Sequence, residues 1–197
     1  MHAVTPDRWP DMVALFGERG ASSGCWCMWF RVAPRVWSRD AGDGNRAAMQ
    51  AIVAADEQPG LLAYRDGKPV GWMSVAPRRQ FERIVGPAGM TADDGVWSVV
   101  CFYIDAAERG TGVGTTLLAA GIDHARRGGA RVLEAYPLDR PNPTNADAYT
   151  GVVSMFSKAG FREAGRFDRW RAAPDAGTPH EKALVRPPGR PVMRLDL

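Results

Sequence analysis

No apolar run in these 197 residues approaches the ~20 that a membrane-spanning helix needs. Met1 to Arg8 holds no hydrophobic stretch of the kind a secretory leader carries, so the expected location is cytoplasmic, with no membrane partner. Cysteine is scarce, at three, and histidine equally so. An odd number of thiols does not build a disulfide framework. Cys25-Trp26-Cys27 has one residue too few between its thiols for a zinc knuckle, and only His2, His124 and His180 could add imidazoles; no metal is expected. Internal repeats and low-complexity tracts are missing, and so is a strong charge imbalance. The net charge of +3 arises between residues 160 and 197, where eight Lys or Arg stand against five acids. These are dispersed among acids and prolines, which reads as a solvated surface rather than a nucleic-acid patch. What is present, 45% hydrophobic and 24% charged residues, describes a globular chain. A chain of this length buries roughly 70% of the surface its unfolded form exposes, so a single domain over residues 1–197 needs neither disulfide nor structural metal.

Thr5-Pro6-Asp7-Arg8 reads as a helix start, with capping side chains and prolines where no backbone donor is required. That helix runs through Met12, Leu15 and Phe16. An aromatic and sulfur cluster follows, Cys25 to Phe30, too apolar for an exposed loop. A second helix is expected over 44–57. Leu61 to Tyr64 and Pro69 to Val75 then read as two strands of a hairpin turned at Asp66-Gly67. After a Gly-, Pro- and Asp-rich loop, Val96 to Ile104 is the longest β-prone run and is expected to be the central strand. From Val113, apolar residues recur at Leu117, Leu118, Ile122 and Ala125, one helical face stopped by Gly128-Gly129. Val132 to Tyr136 resumes as a strand parallel to the central one. A short helix through Tyr149, Val152, Val153 and Phe156 and closing strands at 161–167 and 192–197 complete the chain, with 174–191 an irregular surface excursion.

Chemistry is expected where the best strand meets the best helix, at Glu108-Arg109-Gly110-Thr111-Gly112-Val113-Gly114-Thr115-Thr116. Three alternating glycines remove Cβ atoms where backbone amides open a helix, and this makes a cradle for phosphate oxygens that the helix dipole reinforces. Arg109 adds positive charge at its mouth. A nucleoside-triphosphate loop would need Lys before Ser or Thr after the last glycine, and none is there. A dinucleotide fingerprint needs glycine where Thr115 stands, and belongs to a strand that opens the fold rather than one in mid-chain.

The pattern Arg109-Gly110-Thr111-Gly112-Val113-Gly114 resembles the pyrophosphate motif of the GNAT N-acetyltransferase superfamily. The strand Val99 to Ile104 with Asp105 to Glu108 resembles the family's splayed fourth strand, and Phe156-Ser157-Lys158-Ala159-Gly160-Phe161 its Tyr-x-x-x-Gly-Phe ending. Residues 59 to 171 align in order. Within the family, Cys25 to Met28, Ala76 to Arg78 and Tyr149 to Gly151 resemble a subgroup carrying Cys-Trp-Cys-Met, which brings no substrate with it. The resemblance implies an α/β (α+β) fold, a mixed, mostly antiparallel, centrally splayed sheet flanked by helices. It implies acetyl-CoA as co-substrate and direct attack by a primary amine in a ternary complex. The expected substrate is a small-molecule amine, with no nucleic-acid partner and a homodimer allowed.

On the same footing, backbone groups at Phe102, Tyr103 and Ile104 would pair with the acetyl and pantetheine arms. Amides from Arg109, Gly110, Thr111, Gly112, Val113, Gly114 and Thr115 would hold the pyrophosphate. The family's general-acid tyrosine is replaced by Phe156, which has no proton to give. Ser154, Tyr149 or water is left for that role, or the protein is a non-catalytic acyl-CoA-binding sensor. Glu134 is the first candidate base and Asp94 the second. Cys101 reads as a buried apolar residue and His124 as a solvated one. The Cys25 to Phe30 cluster reads for most of its side chains as core packing under the N-terminal helices. Because the loop between the first two helices lies over the acceptor end in the family it resembles, Trp26, Trp29 and Arg31 are the candidates to wall the acceptor site, suiting an apolar, ring-bearing or cationic amine.

Overall fold

Asp66 and Gly67 both adopt positive φ, 50° and 77°, the geometry that lets a two-residue turn match the twist of the strands it joins. The hairpin they close, β2 (Gly60–Arg65) and β3 (Lys68–Pro77), starts a seven-stranded sheet. The computed structural model describes residues 1–85, 93–140, 144, 148–167 and 190–197. Its other strands are β1 (His2–Ala3), β4 (Val96–Ile104), β5 (Val132–Ala135), β6 (Arg162–Phe167) and β7 (Arg190–Asp196). The order is β1-β2-β3-β4-β5-β7-β6, so β4 is central as expected, and β4–β5 is the one parallel pairing among the described strands. The crossover between β4 and β5 is α5 (Val113–Arg127).

Alternation along the strands sorts side chains onto two faces. Leu61, Ala63, Met73, Val75 and Val99 pack with Leu117, Leu118, Ile122 and Ala125 of α5 and with Phe156 of α6 (Val153–Lys158). Leu62 and Trp72 face the other way, onto Met12, Leu15 and Phe16 of α1 (Trp9–Phe16) and Met49 and Val53 of α3 (Asp43–Ala54). The Cys25–Phe30 cluster does pack on something: Trp26, Cys27 and Met28 join that second layer. Phe30 joins a third group with Ile84 of α4 (Glu82–Val85), Val100, Tyr136 and Val192.

Three short elements escape the hydrophobic pattern, the six-residue α2 (Pro34–Arg39), the four-residue α4 and the two-residue β1; none is long enough to establish a period. The helix start at Thr5 is a 3-10 turn over Pro6–Arg8 leading into α1. Tyr149 likewise lies in a 3-10 turn (Ala148–Thr150) before α6 begins. Residues 86–92 of the Gly- and Pro-rich loop and 174–189 of the expected excursion lie outside the described residues.

At Gly60 the chain has no room for a side chain: a Cβ would stand 2.1 Å from the Met73 carbonyl oxygen and 2.6 Å from the Trp72 ring. Backbone cannot yield as a side-chain tip does. Gly60→Ala is expected to destabilise the protein by about 1–3 kcal/mol through overpacking, read as a lower urea midpoint with an unchanged slope.

Candidate active site and cofactor groove

Ser74 opposes Cys101, yet its neighbour Val75 opposes Val99, so Val100 is the extra residue of a β-bulge. Both Val100 and Cys101 therefore fall on the face away from α5. Just past the bulge, β4 and β5 part. Their pairing ends at Val99 and Ala135, while β4 runs on to Ile104, and the chain beyond β5 leaves to make a parallel bridge at Leu138 and Val152. Asp105 N–H donates to the Val70 carbonyl at 3.0 Å. By ladder alternation the groups of Tyr103 and Cys101 also turn to β3, and those of Phe102 and Ile104 face the side β5 has left. The Tyr103 side chain packs edge-on to Phe16 at 5.5 Å and belongs to the core.

The chain then passes Ala106–Glu108 and reaches the glycine loop at the mouth of this gap. Gly110 and Gly112 hold φ of 77° and 90°, which β-carbon-bearing residues rarely adopt. The first intrahelical bond runs from Thr116 N–H to the Gly112 carbonyl, 3.0 Å. The amides of Val113, Gly114 and Thr115 therefore open the helix without an intrahelical acceptor, and no side chain caps them. A Cβ placed on Gly110, Gly112 or Gly114 would meet nothing within 4 Å; the space over the loop is open, as a diphosphate requires. Arg65 and Glu108 form an ion pair at 2.8 Å that ties the end of β2 to this loop, and Arg109 donates from Nε to the Ile104 carbonyl at 3.2 Å. The loop fits the pyrophosphate of a CoA-type cofactor.

Phe156 is fully buried, its ring 6.3 Å from that of Phe102 and 5.2 Å from that of Phe161. It completes the apolar wall under the gap. Gly151 is small for the same reason, since a Cβ there would meet the Phe156 ring at 2.6 Å. Tyr149, two residues earlier, lies across the sheet from Phe156. Half-buried, it packs with Phe30 at 6.4 Å, has the Arg190 guanidinium 5.9 Å from its ring, and joins the group that contains Val100 and Cys101. Burial holds its hydroxyl above the usual phenol range, against the opposing pull of Arg190. Ser154 is exposed in the first turn of α6.

Glu134 differs from its expected role. Its side chain is buried, bound by Arg78 Nη1 at 2.9 Å and by the Tyr136 hydroxyl at 3.1 Å, with Arg194 at 3.9 Å from its other oxygen. Tyr136 in turn meets Ser98 at 2.9 Å. Both carboxylate oxygens are engaged by protein partners, and the side chain joins β5 to the end of β3. No sequence signal marks the partnership of Arg78 and Glu134, because it joins residues far apart in the chain. Asp94 is an exposed partner of Arg79 at 2.9 Å. His124 is half-buried rather than solvated, its ring edge-on to Trp97 at 5.5 Å, and burial lowers its pKa.

The aromatic cluster is mostly core, as the first of its two readings has it. Trp26 is a core residue, packed between Trp9 (5.9 Å) and Phe16 (5.7 Å) under Arg46. Arg31 is buried over the Phe81 ring and donates to Gln80 Oε1 at 2.9 Å and the Pro59 carbonyl at 3.2 Å. Burial lowers its pKa to about 10. Trp29 is half-buried, edge-on to Trp37 with Arg83 3.7 Å above its ring.

A mixed sheet splayed between its two parallel central strands, beside a glycine-opened helix N-terminus, defines an acyl-CoA N-acyltransferase fold. Solved structures share it. A ribosomal-protein-alanine N-acetyltransferase from Brucella melitensis aligns over all of this chain and 98% of its own, at 22% identity and a TM-score of 0.55. A GCN5-related N-acetyltransferase from Kribbella flavida aligns over all of this chain and 96% of its own, at 23% and 0.57. A putative acetyltransferase from Salmonella typhimurium, solved with its cofactor acetyl-CoA, aligns over all of this chain and 92% of its own, at 16% and 0.55. No curated protein matches. The model of the acetyltransferase (GNAT) family matches residues 25–152. The chain belongs to that family of acetyl-CoA-dependent enzymes.

The buried pair gives a stability test. Arg78→Met strands the Glu134 carboxylate and is expected to cost about 3–5 kcal/mol, whereas removing both charges in Arg78→Met/Glu134→Leu should recover much of that loss. Urea denaturation of the two variants checks the difference.

Proposed function

We propose that the protein moves an acetyl group from acetyl-CoA to the primary amine of a small molecule by direct attack in a ternary complex. The observation that carries this reading is the adjoining of two features: the gap where β4 leaves β5, and the open, uncapped amides at Val113 to Thr115. Acetyl-CoA supplies the activated acetyl thioester. The chain's part is to hold the diphosphate on the amides from Arg109 to Thr115, and to align the pantetheine arm along the backbone of Phe102 and Ile104. Positioning two reactants in one groove accounts for much of the rate such a site needs.

Tyr149 is the proton donor in this reading. Its ring lies beside Cys101 at the bulge, and burial keeps its hydroxyl protonated at neutral pH. Ser154, exposed on α6, is a weaker choice. With Glu134 committed to Arg78, the acceptor's ammonium loses its proton to water. Support for a small acceptor comes from the cover on this face, where Trp29 and Phe30 pack in the same group as Cys101 and Tyr149.

Two substitutions test this. At Gly114 a Cβ meets nothing within 4 Å, and Gly114→Glu sets a carboxylate among the diphosphate's amides. Loss of one charge-assisted hydrogen bond, about 1.5–3 kcal/mol, predicts at least a roughly tenfold weaker acetyl-CoA affinity by calorimetric titration. Tyr149→Phe should leave that affinity unchanged and lower kcat with a panel of amines by about 10²-fold or more. An unchanged kcat would move the proton transfer to another group.

A further inference from the structure

Three thiols from two distant parts of the chain meet on the face of the sheet away from α5. Cys25 and Cys27 come from the loop after α1 and Cys101 from the bulge in β4, and all three share one apolar layer and are free thiols. Cys27 is buried in a setting an inert thiol does not need. Its sulfur accepts from Trp72 Nε1 at 3.2 Å; Cys101, opposite Ser74 two residues along β3 from Trp72, lies in the same packed layer, with the Arg31 charge nearby. Trp26 and Cys27 hold φ of 45° and 59°, two successive residues in the left-handed region that favours glycine. Such conformations persist only where surrounding packing imposes them. Here packing of Trp26 against Trp9 and Phe16 aims Cys27 at β4. The Cys101 thiol, foremost among these neighbours, lowers the Cys27 pKa to about 7 despite burial. Thiolates rather than thiols are the reactive species.

We propose that Cys27 and Cys101 are a reversible disulfide site, closed by a hydroperoxide, that ties the aromatic loop to the β4 bulge and slows acetyl transfer. The Cys27 thiolate attacks one peroxide oxygen, the O–O bond breaks, and the departing hydroxide takes a proton to become water. The resulting sulfenic acid is attacked by the Cys101 sulfur. The S–O bond breaks, the Cys101 proton leaves with the hydroxide as a second water, and the S–S bond forms. The two thiols are oxidised and the peroxide reduced. Cys101 directly precedes Phe102, whose backbone faces the cofactor gap, so the bond would fix the strand at the place where the two substrates meet.

The bond itself is independent of the acetyltransferase reading; only the effect on turnover rests on it. The test treats the full-length reduced protein with hydrogen peroxide, alkylates the remaining thiols and maps the peptides. The expected product is two hydrogens lighter, has a single alkylatable thiol at Cys25, carries a Cys27–Cys101 linked peptide and reverts with dithiothreitol. Cys25→Ser should form the same bond, and Cys101→Ser should not. Three alkylatable thiols after treatment, or a bond involving Cys25, would overturn the site. A mapped bond with undiminished acetyl-CoA turnover would overturn the regulation alone. If reduced protein binds acetyl-CoA but acetylates no amine, the failure belongs to the proposed activity, and the peptide map still decides the disulfide.

Discussion

The parting of β4 from β5 after four paired residues is the constraint on which the site depends. All four residues of β5 pair with β4, and the ladder stops where β5 stops. Here β4 continues alone because the Val100 bulge bends it, while β5 is held to β7 through the same four residues, Val132 to Ala135, that pair with β4. The result is a strand with hydrogen-bonding groups facing no neighbouring strand, in the middle of a sheet rather than at its edge. Such groups invite a ligand that can act as a strand, and the amide-bearing arm of CoA is one. The apolar wall below the gap, Phe102 with Phe156 and Phe161, supports the strand from the α5 side.

Charges around the gap divide into two kinds. Glu134 with Arg78, and Arg31 with Gln80 and Pro59, are buried and paired; they fix how the loops after β3 and α1 sit on the sheet, and each would be costly to strand. Arg65, Glu108 and Arg109 are more open to solvent and organise the glycine loop. The same side-chain chemistry thus serves buried architecture on one side of β4 and the more open glycine loop on the other. Burial decides which, because a desolvated guanidinium must keep its partner whereas a surface one can turn to a phosphate.

Much of the frame is legible in the chain. Val96 to Ile104 is read to the residue, since nine β-prone residues bounded by turn formers allow no other element. The Asp66-Gly67 hairpin and the face of α5 follow from turn chemistry and from a 3.6-residue period. The glycine loop is equally plain, because glycine spacing at a strand-to-helix junction is a local signal with a local cause. Roles that depend on distant partners were not legible. Glu134 reads as a candidate base until Arg78 is seen beside it, and the sequence leaves Trp26 open between core and substrate wall until Trp9 and Phe16 enclose it. His124 has the same history with Trp97.

Sequence by itself therefore determined the elements, the open glycine loop and the family to which both belong, because these rest on interactions between neighbours in the chain. Tertiary structure alone decided which carboxylate is bound, which aromatic rings are core, where Tyr149 stands relative to the bulge, and that three cysteines meet. Those outcomes depend on which residues the crossing of β4, β5 and the N-terminal loop brings within a few ångströms of one another. Packing distances of that kind have no counterpart in the spacing of residues along the chain.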